Sequence, residues 1–126
     1  MRAVHYLRIW TDDEGETHLE EVTLPETTSP AEQGVAQLVI APAGPVDRLE
    51  FVTVRARDQR PDWHNAPRRQ FVTFLTASVT IETSDGDRRT LPPGSTVLAE
   101  DLTGRGHITT HEPGDQRVLV IPLDPD

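Results

Sequence analysis

From residue 70 onward the chain alternates short β-branched runs with tight turns at close, regular spacing, and this pattern restricts the fold more than any other feature. Residues 78–83 set Val79 and Ile81 against polar neighbours, Ser84-Asp85-Gly86-Asp87 is a hairpin signal, and 88–91 reads as the return strand. Pro92-Pro93-Gly94 turns the chain again before an apolar strand over 95–99. A polar loop over 100–106 leads into a strand over 107–111, and Glu112-Pro113-Gly114-Asp115 reads as a last hairpin before a closing strand over 117–122. Strands this short and this evenly spaced specify an all-β sandwich or barrel.

The stretch over 61–77 joins a proline-punctuated, polar approach to the strand that reads most clearly as core. Alternate residues face opposite ways in a strand, so Gln70, Val72 and Phe74 share one face and Phe71, Thr73 and Leu75 the other. Both faces are largely apolar, which predicts cover on both sides. Gln70 opens this strand, and His64 precedes it on a segment stiffened by Pro61 and Pro67. That arrangement aims two polar side chains into one cavity.

The earlier half is less regular. A strand over 3–10 is closed by Asp12-Asp13-Glu14-Gly15 and returns over 17–24 as a hairpin. Residues 25–34 read as a surface loop or a single helical turn begun at Ser29-Pro30, 35–40 as a short apolar strand, 41–45 as a break, and 46–57 as a longer strand. On that strand Leu49, Phe51, Thr53, Arg55 and Arg57 share a face, which places the apolar end in the core and Arg55 or Arg57 at a pocket rim.

Composition removes several classes of function. A chain of 126 residues is one ordinary domain, 1–126. Its net charge of −9 opposes duplex nucleic acid and anionic membrane as partners, since both require a positive surface. No apolar run approaches the roughly 20 residues of a membrane span, and the opening residues carry no signal-peptide core, so a cytoplasmic location is expected. Cysteine is absent, and all 12 basic residues are arginine, which removes thiolate ligands, cysteine nucleophiles and Schiff-base lysines. The four serines lie in turns or strand starts without a nucleophile elbow, and Gly104-Arg105-Gly106 is too short to cradle phosphate. Glu100-Asp101 reads as part of a solvated loop beside the pocket mouth rather than as a glycosidase pair. His5 and His18 read as sheet histidines outside the site.

The order of strand, His64-Asn65-Ala66-Pro67-Arg68-Arg69-Gln70, strand, Asp-Gly turn, Pro93-Gly94, strand and Gly104-Arg105-Gly106-His107 resembles a small single-domain cupin over about 58–122, with 1–57 supplying N-terminal strands. In that family a first motif, Gly-x5-His-x-His-x3-4-Glu-x6-Gly, precedes a second, Gly-x5-Pro-x-Gly-x2-His-x3-Asn. His64 falls on the first histidine, Gln70 on the glutamate and His107 on the histidine of the second motif, with Gly104 at the required interval before it. Ala66 replaces the second histidine, Ala77 the final glycine, and His111 stands at the asparagine; the Gly94 to His107 interval is two residues longer than the motif.

The resemblance implies a cupin double-stranded β-helix, a jelly-roll barrel with His64, Gln70 and His107 inside one end. It also implies a homodimer, in keeping with the strand character of residues 3–24, which lie outside the resembling region. A complete cupin site resembles three histidines and a carboxylate around one divalent transition metal. Two readings stay open here: His64, Gln70 and His107 hold such a metal, with His111 as an extra imidazole on the same strand face, or these groups line a metal-free pocket as donors and acceptors. Three functions follow. The first is a small-molecule acid–base enzyme (isomerase, cyclase, dehydratase or lyase) in which His107 or His64 moves a proton and Gln70 orients the substrate, with Arg55, Trp63, Arg68 and His111 binding it. The second is a non-catalytic cupin enclosing an acidic or aromatic ligand, and the third a metal-dependent oxygenase.

Overall fold

The computed structural model describes residues 1–124. Among them there is no helix, and eleven strands form three sheets: β1 (His5–Thr11), β2 (Thr17–Thr23), β3 (Thr27–Thr28), β4 (Val39–Ile40), β5 (Glu50–Arg55), β6 (Gln70–Phe74), β7 (Val79–Thr83), β8 (Arg88–Leu91), β9 (Thr96–Ala99), β10 (His107–His111) and β11 (Asp115–Pro122). The largest sheet runs β2-β1-β9-β6-β11-β5 and the second β10-β7-β8; β3 and β4 pair only with each other. Neither large sheet closes into a barrel.

The two large sheets bury a common core. Leu7, Ile9, Phe74, Val97, Val118 and Val120 come from the first, and Val79 and Ile81 from the second, each of these residues buried to 9% exposure or less. Period-two alternation produces this directly, since β7 reads buried, half-buried, buried along Val79, Thr80 and Ile81. On the outer face of the large sheet Phe71 meets the Tyr6 ring edge-on at 5.1 Å, so β6 is covered on both sides at this point.

Chain order alternates between sheets after residue 70. β6 lies in the large sheet, β7 and β8 in the small one, β9 returns to the large one, β10 goes back, and β11 returns. The turn at Glu112-Pro113-Gly114-Asp115 is therefore not a hairpin: β10 pairs with β7, and β11 inserts between β5 and β6. Proline and glycine mark a reversal in either case, and only the partner strand distinguishes the two.

Three other expectations are corrected. The strand placed over 46–57 is shorter, and its inward face is the opposite one: Val52 and Val54 turn to the core while Leu49 and Phe51 are exposed at 53% and 73%. Register explains it, because Val52 sits opposite the buried Val118 and must share its face. The apolar strand over 35–40 is reduced to Val39–Ile40, exposed on both residues, because its one partner is the two-residue β3. No helical turn starts at Ser29-Pro30; the Ser29 N–H instead donates to the Leu38 carbonyl at 2.8 Å and closes a wide loop.

No helix among the described residues is long and apolar enough to cross a membrane.

Candidate functional site

Between the two sheets lies a cavity of about 290 Å³. Its walls are aliphatic and aromatic, from Val52, Val54, Val72, Phe74, Ile81 and Val118 among others, and its polar groups are His64, Gln70, His107, Thr109 and His111. Strand alternation puts Gln70, Val72 and Phe74 on the wall together, and His107, Thr109 and His111 on the facing one. The polar groups are few and convergent in an otherwise apolar hollow, the usual make-up of a small-molecule site.

His64 reaches the cavity although it belongs to no strand. Its backbone forms an isolated antiparallel bridge with His107: the His64 N–H donates to the His107 carbonyl at 3.0 Å and the His107 N–H to the His64 carbonyl at 2.9 Å. Their imidazole rings lie 4.5 Å apart between centroids, tilted by 53°. Gly106 makes this approach possible, because a Cβ at that position would collide with the His64 carbonyl, and its φ of +74° is one that other residues resist. Thr17, fully buried, braces the same point by donating from its hydroxyl to the Gly106 carbonyl at 2.6 Å while accepting from the Ser84 N–H at 2.8 Å.

Asp101 is the functional residue that sequence reasoning missed. Far from belonging to a solvated loop, it has 0% exposure, and its carboxylate accepts from His107 Nδ1 at 2.6 Å. Its carbonyl accepts from the Ala66 N–H and from Asn65 Nδ2, both at 3.2 Å, which ties the His64 segment to the same loop. Glu100 is also largely buried, at 15% exposure, and binds Arg8 at 2.6 Å and Arg69 at 2.7 Å. A pair of acidic residues between a strand and a polar loop carries no periodic signal, and the only clue was the six-residue interval to His107.

The hydrogen bonds fix where protons sit. A carboxylate or carbonyl oxygen only accepts, so His107 Nδ1 carries the proton toward Asp101, and His64 Nδ1 carries one toward the Asp62 carbonyl at 3.0 Å. In each neutral imidazole the lone pair is then on Nε2. Among the described residues three side-chain polar atoms are buried without a partner in the protein: Gln70 Oε1, His111 Nδ1 and the second carboxylate oxygen of Asp101, Oδ1. Burial lowers the pKa of His111 and favours its neutral form.

Of the residues singled out from the sequence, the cavity brings together His64, Gln70, His107 and His111. It does not include Arg55, Trp63 or Arg68. Arg55 is on the outward face of β5 beside Phe51, Arg68 is held by Glu50 at 3.0 Å, and Trp63 lines a separate shallow groove with Ser84 and Arg105.

The donor set does not fit a divalent transition metal. Among the described residues no group of three or more histidine, cysteine, aspartate or glutamate side chains is placed to hold a metal ion, and Gln70 brings no charge to offset one. Asp101 stands behind His107 on the Nδ1 side, where it orients the ring rather than joining a coordination shell.

No family model and no curated protein matches this chain.

Proposed function

We propose that the cavity is the active site of a small-molecule enzyme of the cupin type, an isomerase, cyclase, dehydratase or lyase working by acid–base chemistry in the cytoplasm. The alternation of β6–β11 between two sheets supports the jelly-roll reading. The observation that carries the enzymatic reading is the Asp101–His107 pair: a fully buried carboxylate 2.6 Å from the Nδ1 of an imidazole that lines the cavity.

In this reading His107 Nε2 takes a proton from carbon next to a substrate carbonyl. The C–H electron pair moves into the new C–C double bond and the carbonyl pair onto oxygen, giving an enolate. Asp101 stabilises the imidazolium and holds its tautomer and orientation, as a buried carboxylate does behind a catalytic histidine. Returning the proton to another carbon isomerises the substrate, and returning it to a leaving hydroxyl dehydrates it. Gln70 has donor and acceptor atoms but no useful pKa, so it orients the substrate oxygen. His64, at the mouth, is the second proton carrier.

The test is hydrogen–deuterium exchange at the α-carbons of 2-tetralone in D2O, followed by proton NMR. Exchange above the buffer rate is expected, with His107→Ala slowing it by about 10²–10⁴-fold. A tetralone that binds in the cavity yet exchanges at the buffer rate would make the protein a binding module.

A further inference from the structure

Among the described residues no arginine, lysine, aspartate or glutamate stands on the walls of the cavity. None of the 12 arginines lines it, and its titratable lining groups are His64, His107 and His111. The arginines nearest in sequence to the site are engaged elsewhere, Arg68 with Glu50 and Arg69 with Glu100. The single carboxylate close to the cavity, Asp101, is turned to His107 Nδ1 and is fully buried. A ligand carboxylate entering this space would lose its hydration and meet no arginine to replace it. A ligand cation would likewise find no carboxylate on the walls.

Two atoms nonetheless require a partner. Gln70 Oε1 and His111 Nδ1 are buried and unpaired, whereas the other polar atoms of these walls are tied into the protein or open to solvent. Gln70 Oε1 is an acceptor, so its complement is a hydroxyl or an N–H. His111 is kept in place by its own backbone, with the His111 N–H donating to Gln59 Oε1 at 3.2 Å and Gln59 Nε2 donating to the His111 carbonyl. Its ring nitrogen is therefore positioned independently of any ligand. Around these atoms the walls are Val52, Val54, Val72, Phe74, Val97 and Val118, so the rest of the complement is hydrocarbon.

From these observations we infer that the cavity's ligand is an uncharged, mainly hydrocarbon molecule, small enough for a cavity of about 290 Å³, that carries a hydroxyl or N–H donor toward Gln70 Oε1. The inference rests on the acid–base reading of the same site and narrows its substrate to neutral alcohols, phenols and enolisable ketones, whose enol form supplies such a donor. It opposes an acidic ligand.

Naphthalene, 1-naphthol and 1-naphthoate present one ring system with no polar group, a donor and an anion. Titrated into the whole protein and followed by NMR shifts of the cavity residues, 1-naphthol should bind about tenfold more tightly than naphthalene, the value of one neutral hydrogen bond. 1-Naphthoate should bind about hundredfold more weakly than 1-naphthol, the cost of burying an unpaired charge. Gln70→Leu should abolish the preference for 1-naphthol over naphthalene. The inference is overturned if 1-naphthoate binds as tightly as 1-naphthol, or if Gln70→Leu leaves the naphthol preference intact; the wild-type comparison decides by itself should that variant fail to fold. Selective naphthol binding without catalysed tetralone exchange would retain this ligand class and remove only the enzymatic reading.

Discussion

His64 and His107 are joined by reciprocal backbone hydrogen bonds of 3.0 and 2.9 Å, and their rings lie 4.5 Å apart at the polar end of the cavity. The geometry of the site is thus set by main-chain atoms, and the two side chains inherit it. Substitutions that disturb the bridge should therefore damage function without altering a single polar side chain.

Gly106→Ala makes that point measurable. The new methyl would meet the His64 carbonyl at a backbone φ of +74°, whereas Gly86, at φ +90°, has open space around the same position. Backbone strain of about 1–3 kcal/mol applies to both. Only Gly106→Ala should also slow tetralone exchange, so equal melting temperatures and equal rates for the two variants would refute the bridge's role.

Asp101→Asn keeps the size of the side chain and removes its charge. If Asp101 stabilises the imidazolium of His107, exchange should fall about 10²-fold while the affinity for 1-naphthol stays unchanged, because the carboxylate lies behind the ring. Loss of binding in parallel with rate would reduce Asp101 to a structural support of its loop.

The stability of the fold should depend on pH through His18. This residue binds Asp12 at 2.7 Å and Asp85 at 3.0 Å and stacks on Trp10, and the hydrogen bond its ring donates to Asp12 raises its pKa above the ordinary histidine value. A raised folded-state pKa gives a contribution fully present below the unfolded value, about 6.5, and lost as pH rises through the folded value. His111 acts with the opposite sign: burial lowers its pKa, so stability is lost as pH falls below the unfolded value toward the folded one. Urea unfolding of wild type and His18→Gln over pH 5.5 to 8.5 isolates the first effect. Their difference should shrink as pH rises through neutrality, and a constant difference would sink the assignment.

EDTA should leave the exchange rate as it was, since among the described residues no three histidine, cysteine, aspartate or glutamate side chains are placed together to hold a metal ion. A rate abolished by the chelator and restored by one equivalent of zinc or iron would show that His64, Gln70 and His107 move together around a metal.

A homodimer is expected from the exposed apolar surface around β4 and β5. Leu38, Val39, Ile40, Leu49 and Phe51 are all 44% exposed or more, and β5 is a free sheet edge. An edge of this kind is open to pairing with another chain. Light scattering should return twice the 14.0 kDa chain mass, and Phe51→Arg should shift it toward the monomer. A wild-type monomer at micromolar concentration would exclude the pairing.

Much of the architecture after residue 70 was legible because strand alternation and turn chemistry there agree at every step. Val79 and Ile81 announce a buried face, and Asp85-Gly86 announces the return. That His64 and Gln70 share a cavity was read from the proline-stiffened segment before β6, and that His107 joins them from the resemblance to cupins. Asp101 was not legible, since a carboxylate is read as exposed until a buried partner is known, and that partner is supplied by tertiary structure. The face of β5 was misjudged for a related reason: Phe51 is more hydrophobic than Val52, but register opposite Val118 decides which of the two goes inside. Between residues 25 and 49 the apolar residues find only the two-residue β3 and isolated bridges as neighbours, and a pattern read along the chain does not reveal how long a neighbour is.

The position of β11 bears on how the protein is made. It is the last strand in chain order, yet it occupies an interior place in the large sheet, between β6 and β5. A ribosome that has completed everything through β10 has therefore produced two unfilled sheet edges and a core with a gap between them. Both wait for Val118 and Val120, so β5 has no partner in its sheet until the closing residues emerge. β11 therefore joins the large sheet by insertion between two strands rather than by addition at an edge, and the interval before it emerges is when the nascent protein is most open to pairing with the wrong strand.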